Sequence, residues 1–493
     1  MMKRRYSLAL WLVLPAAIAY ALIFFYANTP LGPGISSDNA MYLTMGTALS
    51  KGYAPYTQIF DHKGPLLFLL QMLPQLVGGG YSTLAVFAQE VCFLAASLLA
   101  VAAIARVLGA PRLPALLAYL ALSAPLLDGG NLTEEYACLF TLLGLYAIVS
   151  AFGQGLPEGT DGLLSRAALL GAMAALAFLT RANNALVLLG MTLALALCLL
   201  LTRRFAQLGR CALGFVLGAA AACAPVALWL AANGALGASV YGSILHNLMY
   251  AETDGASRVQ TLLHTPYGHT ALLLAAASCL GALTQIKKSP ALSLAMVAGA
   301  AAAGLAGFIS HKFYRHYLLL GVPLAAMGAC ALLGWAMRWH KRAGQALAAA
   351  AMLACALVLI PAAQDTDAVR REWRGRYLSQ AEDARALYAL VPENERDRFM
   401  AYRVEPMWYV AAEALPCMRF YFLQEILADA DPAVMDEIVA MLESDPPEWL
   451  VIYYDRPFSP PYDARVQAIF DTRYAFVQSR GDYQLLRLKE ETP

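Results

Sequence analysis

Apolar positions in this chain come in long unbroken runs separated by short polar breaks, not in alternating or one-faced patterns. A helix needs about 20 apolar residues to cross the hydrocarbon core of a bilayer. Runs near that length lie at 7–27, 82–108, 113–127, 137–153, 167–180, 184–201, 211–232, 267–286, 290–309, 316–336 and 344–362. They predict about eleven spanning helices. The first run follows Lys3, Arg4 and Arg5 like a signal peptide, but its length and the spans after it predict a retained helix. One further apolar stretch, 65–77, is too short for an untilted crossing and is interrupted by Pro74 and closed by Gly78, Gly79 and Gly80. It is expected to lie along the membrane interface as a half-buried helix.

Beyond residue 362 the pattern changes. "RFMAYRV", "CMRFYFL", "EWLVIYYD", "YAFVQS" and "YQLLRLK" read as strands. "DPAVMDEIVAMLES" reads as a helix with Asp431 as cap and Pro432 in the first turn, and "DARALYALVPENERDRF" as an amphipathic helix and loop. The charges change at the same place: 24 of the 34 acidic residues lie in 363–493 and ten in the first 362. The expected organisation is a membrane domain, 1–362, followed by an α/β domain, 363–493, large enough for one core.

Composition sharpens this picture. Charged residues make up 14% of the 493 residues, hydrophobic ones 60%, and the mean hydropathy is +0.55. Soluble domains carry about 25% charged residues, so a polytopic α-helical membrane protein is expected. A net charge of +1 and the lack of any basic patch with interleaved aromatics give no reason to expect a nucleic-acid partner. The nine cysteines sit almost all in apolar runs, and no C-x-x-C spacing occurs. That pattern predicts neither a metal knuckle nor a disulfide framework.

If 65–77 does not cross, the inner loops hold 14 lysines and arginines and the outer loops of the membrane part hold six: Lys51, Lys63, Arg181, Arg258, Lys312 and Arg315. The positive-inside rule favours that arrangement. It puts the N-terminus in the cytoplasm and the C-terminal domain outside, in a multi-pass protein of the cell membrane. Asp38, Asp61, Asp128, Glu134, Glu135, Glu252 and Asp254 then all fall on the outer face, where any chemistry is expected.

The outer loops supply the candidates. Asp38 opens a segment with Met41, Met45, Ala48 and Leu49 at helical spacing, either as a reactive carboxylate or, with Ser36 and Ser37, as a cap. Tyr53 and Tyr56 are interface anchors or walls of a sugar pocket. Lys63, beside Asp61 and His62 at the entry to 65–77, is either a snorkelling cation or an anion site. Glu134 and Glu135 are adjacent, so both cannot face one point of a helix; Asn131 or Thr133 before them reads as a cap. "NLT" at 131–133 also matches a glycosylation sequon. Arg181 interrupts an apolar stretch, which is costly without a partner or a use. His311, Lys312, Arg315 and His316 place cations on the side where they are disfavoured, which implies an anionic ligand. The loop 233–266 carries no assignable motif.

In this order, "SSDNAMY", "GYAPYTQIFDHKGPLLF", "DGGNLTEEY", "FLTRANN" and "HKFYRHYLLLGVP" resemble the C-type superfamily of membrane glycosyltransferases. The branch most resembled is the bacterial one similar to protein mannosyltransferases and the lipid A aminoarabinose transferase. The resemblance covers 1–340 in layout and is sharpest in 36–68. It implies a large first outer loop with interfacial helices and a polyprenyl-phosphate-linked sugar donor. It also implies a catalytic Asp early in that loop, here Asp38, and a donor-phosphate Lys before a Pro, here Lys63 with Gly64 inserted before Pro65. An acid of the second loop maps to Glu134 or Glu135. The chain departs from the pattern at Asn39, where many members have Glu.

The chemistry suits those residue types. An acceptor hydroxyl must lose a proton as it attacks the anomeric carbon, so a carboxylate base is wanted. The leaving phosphate needs positive charge rather than a strong acid. Lys63, Arg181, Lys312 and Arg315 are the candidates for the donor phosphate, and Tyr53, Tyr56, Asp61, His62 and His316 for the substrate pocket. A divalent cation between Asp38 and Glu135 is the one cofactor left open. The expected activity is inverting hexosyl or pentosyl transfer to an envelope glycan, lipid or protein, with membrane lipid as the surroundings. The alternative is a transporter or flippase of lipid-linked sugars, which internal repeats and midplane polar sites would favour; neither is seen. An outer sensor on a membrane anchor would need no such loops.

Overall fold

The computed structural model describes residues 2–250, 257–309, 312–453 and 463–490, with side chains from residue 12 onward except that of Tyr250. Glu252, Asp254 and His311 lie outside the described residues. The first helix, α1 (Met2–Phe24), is followed by a long connection that contains α2 (Ser37–Ser50) and α3 (Pro65–Gly78). Then come α4 (Thr83–Leu108), α5 (Arg112–Ser123), α6 (Thr133–Phe152), α7 (Leu163–Thr180), α8 (Leu186–Leu201) and α9 (Phe205–Ala232). Three short helices, α10 (Leu236–Val240), α11 (His246–Tyr250) and α12 (Arg258–His264), lead to α13 (Pro266–Gln285), α14 (Pro290–Phe308), α15 (Val322–Trp339) and α16 (Lys341–Tyr388).

Among the described residues nine helices are long and apolar enough to cross a membrane: α4, α6 to α9 and α13 to α16, α8 and α15 with the 3-10 turns before them. The segments Leu12–Phe24 and Arg112–Leu126 are shorter apolar helices. Together they correspond one for one with the eleven apolar runs. Helix α3 has Gly64 as N-cap, Pro65 at its first position and Gly79 in the left-handed region at its end. It buries Leu67, Phe68, Leu70 and Gln71 and exposes Leu73, Leu76 and Val77. Such a one-sided apolar helix suits a membrane interface.

Helix α16 is 48 residues long and passes residue 362 without a break, with Pro361 inside it. Its last turns bury Ala381, Ala384 and Leu387 in the C-terminal core. Strands β1 (Phe399–Tyr402), β2 (Trp449–Tyr453), β3 (Tyr474–Arg480) and β4 (Tyr483–Leu488) form a sheet in the order β1-β2-β4-β3. The β1–β2 pair is parallel and the other two pairs are antiparallel. Helices α17 (Met407–Ala412), α18 (Gln424–Ala430), α19 (Ala433–Ser444) and α20 (Ala464–Arg473) accompany the strands. At the start of α19, Asp431 accepts the Ala433 N–H at 3.1 Å.

"CMRFYFL" is not a strand. Although the Cys417 N–H still donates to the Phe399 carbonyl of β1, the rest of the segment bonds to the chain between α1 and α4: the Arg419 carbonyl accepts the Phe60 N–H at 2.9 Å, and the Tyr421 hydroxyl donates to the Met41 carbonyl at 2.9 Å. Phe60, Phe68 and Met41 share one buried cluster with Trp408, Tyr409, Phe420 and Tyr421. The C-terminal part and the connection carrying α2 and α3 therefore pack as one body, and this holds α2 in place.

Candidate active site

A cavity of about 280 Å³ opens between the start of α2, the loop before α3, the start of α6, the end of α7 and the segment before α15. Asp38, Tyr42, His62, Lys63, Asp128, Glu134, Arg181, His316 and Tyr317 line it, with Trp373 of α16 and Leu423 of the C-terminal domain.

Helix α2 starts at a cap that is not Asp38. Ser36 is the N-cap, and its hydroxyl accepts the Asn39 N–H at 3.4 Å. Asp38 is therefore left exposed in the cavity wall. The neighbouring Ser37 hydroxyl donates to Glu405 at 2.8 Å, tying the helix start to the C-terminal domain.

Asn39 turns the other way. Its amide donates to Asn28 Oδ1 at 3.1 Å, and its carbonyl oxygen accepts from Asn28 at 3.2 Å and from Asn131 at 2.8 Å. Asn131 in turn accepts from Gln71 and from the Tyr136 hydroxyl, both at 2.7 Å, and donates its backbone N–H to Glu90 at 2.5 Å. These polar groups are buried, and a satisfied buried network fixes a unique arrangement of the elements it joins. It pins α2, α3, α4 and α6 beneath the cavity. Residues 128–131 all have positive φ. A Cβ on Gly130 would stand 2.3 Å from Glu90 Oε1, so only glycine fits there. Asn131 is fully buried, which closes its sequon to glycosylation.

On the opposite wall, Asp61 is fully buried and accepts the Lys63 N–H at 2.9 Å. The Lys63 ammonium lies 3.5 Å from Asp61 Oδ1 and 3.1 Å from His62 Nε2. Burial lifts the Asp61 carboxyl above its ordinary pKa, against the pull of Lys63. Burial, with Lys63, Arg181 and His246, pushes His62 well below the usual imidazole value. An ammonium can only donate, so His62 Nε2 is the acceptor of that 3.1 Å contact, and its Nδ1 stands 3.6 Å from Asp61 Oδ1. The inserted Gly64 has a structural reason. Its N–H donates to the Thr180 carbonyl at 2.9 Å, and a Cβ there would stand 2.2 Å from the Leu179 carbonyl. This contact clamps the Lys63 loop to the end of α7, where Arg181 follows.

Arg181 donates to Glu134 at 3.1 Å and to the Tyr317 hydroxyl at 3.1 Å. Both members of the ion pair are buried. Asp128 lies 3.5 Å from His316 Nδ1, and His316 holds its carboxyl below the ordinary range despite partial burial. A second, mainly apolar groove of about 150 Å³ is lined by Pro65, Phe178, Leu179, Ala182, Val226 and Leu230. It begins where the cations end: Pro65 is two residues after Lys63, and Ala182 follows Arg181.

No family model matches the chain, and no curated protein does. Solved structures do. ArnT from Cupriavidus metallidurans bound to undecaprenyl phosphate matches at 14% identity over 97% of either chain, with a TM-score of 0.58. The arabinofuranosyltransferase AftD from Mycobacteria matches at 14% identity and TM-score 0.51 over 97% of this chain and 40% of its own. The oligosaccharyltransferase AglB from Archaeoglobus fulgidus, in complex with a dolichol-phosphate, matches at 11% identity and TM-score 0.50 over 92% of this chain and 70% of its own. The chain has the fold of the C-type membrane glycosyltransferases.

On this C-type fold, Asp38, His62, Lys63, Glu134, Arg181 and His316 come together in one cavity, with Asp61 directly behind Lys63. Glu135 does not join them. It serves as the capping-box partner of the Leu132 N–H at 3.5 Å and faces a separate cleft with Tyr20, Tyr119 and Cys138. Successive helix positions are 100° apart, so only one of the two acids faces the cavity. Tyr56 is fully buried, with its ring against Phe68 and its hydroxyl donating to the Lys63 carbonyl at 2.7 Å. Tyr53 is half-buried against the C-terminal core. Neither tyrosine lines the cavity. Lys312 and Arg315 also stand outside its wall, Arg315 exposed at the first position of a 3-10 turn.

Several wall residues escaped the sequence reading. Tyr42 lies four positions after Asp38, so helical spacing placed it on the same face. Trp373 and Leu423 gave no local signal, since only docking of the C-terminal part brings them there. The pair expected to hold a divalent cation is not brought together: Asp38 and Glu135 face different cavities. Among the described residues no group of three or more His, Cys, Asp or Glu is arranged to hold a metal.

Proposed function

We propose that this chain transfers a hexose or pentose from a polyprenyl-phosphate-linked donor to an acceptor of the cell envelope, at the outer face of the membrane. One observation carries the proposal. Two cations, the partly buried Lys63 and the buried Arg181, stand in a polar cavity that also holds an exposed carboxylate, and their chain neighbours wall an apolar groove. That layout suits a ligand with an anionic head and an apolar tail. The undecaprenyl phosphate held by ArnT, on the same fold, supports it.

In this reading the acceptor hydroxyl gives its proton to Asp38 and attacks the anomeric carbon. The bond from that carbon to the phosphate oxygen breaks, and the phosphate leaves with the electron pair. Lys63 and Arg181 neutralise the charge that builds there, Lys as a point charge and Arg through its fork. Attack opposite the phosphate inverts the anomeric centre. Arg315, within electrostatic reach of the wall residue Asp128, adds positive potential there. The division into a membrane domain, 1–362, and an extracytoplasmic domain, 363–493, with a cytoplasmic N-terminus, belongs to the same proposal.

A donor-dependent transfer assay in detergent tests it. A transporter has no gradient to work on there and forms no glycoside, so lack of product from every hexose and pentose donor defeats the proposal. Lys63→Ala is expected to weaken undecaprenyl phosphate binding about tenfold or more, about 1.4 kcal/mol, in protein whose folding is checked by its thermal midpoint. Unchanged affinity and turnover would return Lys63 to a snorkelling role. The orientation is tested separately: alkaline phosphatase fused after Pro493 is expected to be active, and a fusion active only as a cytoplasmic reporter would reverse the topology.

A further inference from the structure

The wall that the C-terminal domain contributes contains a conflict between residue type and backbone. Phe420, Tyr421, Phe422 and Gln424 are each 2% exposed or less, while Leu423 between them is 41% exposed and lines the cavity. Its φ is +50°, in the left-handed region that leucine avoids and that glycine or asparagine adopts readily. The strain is imposed from both sides. The Tyr421 hydroxyl is fixed to the Met41 carbonyl at 2.9 Å, one turn after Asp38. The Gln424 amide donates to the Phe420 carbonyl at 3.1 Å, and its oxygen accepts the Arg403 N–H at 3.3 Å. The Arg419 guanidinium lies 4.5 Å from the Phe420 ring centre. Strain held in this way at a ligand site points to a use for the side chain.

Resting on the transferase reading above, we propose that Leu423 keeps water from the acceptor's place in the cavity, so that the sugar goes to an acceptor hydroxyl instead of being hydrolysed. The two outcomes share one chemistry. In either case an oxygen attacks the anomeric carbon, the carbon–oxygen bond to the phosphate breaks with its electrons leaving on the phosphate, and the nucleophile's proton goes to Asp38. A hydroxyl yields a glycoside and water yields free sugar. Which oxygen occupies the space decides the product, and an apolar side chain held in the wall disfavours water there.

The test uses the full-length protein in detergent with undecaprenyl-phosphate-linked hexose and pentose donors, with and without native membrane extract as acceptor source. Leu423→Gly and Leu423→Asn relieve the backbone, so their thermal midpoints are expected to be no lower than that of the unaltered protein. Without acceptor they are expected to release free sugar about tenfold faster, and with extract to form correspondingly less glycoside. Leu423→Met, which keeps the apolar bulk, is expected to retain the original partition. Unchanged sugar release and glycoside yield in both Gly and Asn variants would overturn the inference. So would a lower midpoint in both, which would make Leu423 a packing residue. If the unaltered protein consumes no donor even with extract, the transferase reading itself fails.

Discussion

Asp38→Asn is expected to reduce sugar transfer by roughly 10²-fold or more while leaving the fold and donor binding intact. The structure makes this substitution unusually clean. The N-cap of α2 is Ser36, so the helix start does not depend on the Asp38 side chain. The carboxylate is exposed in the cavity wall, so its replacement leaves no buried group without a partner. Asn keeps the shape and removes the basic oxygen. The network behind it, through Asn39, Asn131 and Glu90, is untouched. Turnover in detergent and undecaprenyl phosphate affinity should therefore separate, the first falling and the second holding. Near-normal turnover would deny Asp38 the base role and move the search to Glu134, the other first-turn carboxylate of the same wall.

Arg181→Met is expected to be the most destabilising single change in the site, costing about 3–5 kcal/mol, because it strands the Glu134 carboxylate without its cation. The pair is 3.1 Å apart, with side chains 9% and 2% exposed. Removing both charges should behave differently. Arg181→Met combined with Glu134→Gln is expected to recover most of the lost stability, since no uncompensated charge is left. It should not recover transfer, because the phosphate has still lost a cation. Thermal or denaturant unfolding in detergent measures the first effect and donor turnover the second. A single variant within about 0.5 kcal/mol of the unaltered protein, the range of an ordinary surface change, would show that water already screens the pair.

Much of this molecule could be read without its structure. A span is a matter of length and polarity along one stretch of chain, so the eleven apolar runs were legible and reappear as helices. The start of α2 was legible because caps and helical spacing are local. Cations on an apolar border, Lys63 and Arg181, stood out because such charges are costly unless used.

Residues whose role depends on what packs against them were not legible. Nothing in "TEEY" says which acid looks into the cavity; the rotation of α6 against α4 and α7 settles that Glu134 does and Glu135 caps. Tyr56 reads as a pocket wall until Phe68 and the Lys63 carbonyl are seen to enclose it. "CMRFYFL" has the composition of a strand, yet beyond Cys417 it bonds to Phe60 and Met41 in the chain between α1 and α4, so it leaves the sheet as an irregular segment. Trp373 and Leu423 enter the site from residues more than 300 positions away from Asp38. Periodicity reports which side chains share a face of one element. Only the packing of elements far apart in sequence decides which of those faces enclose the same space.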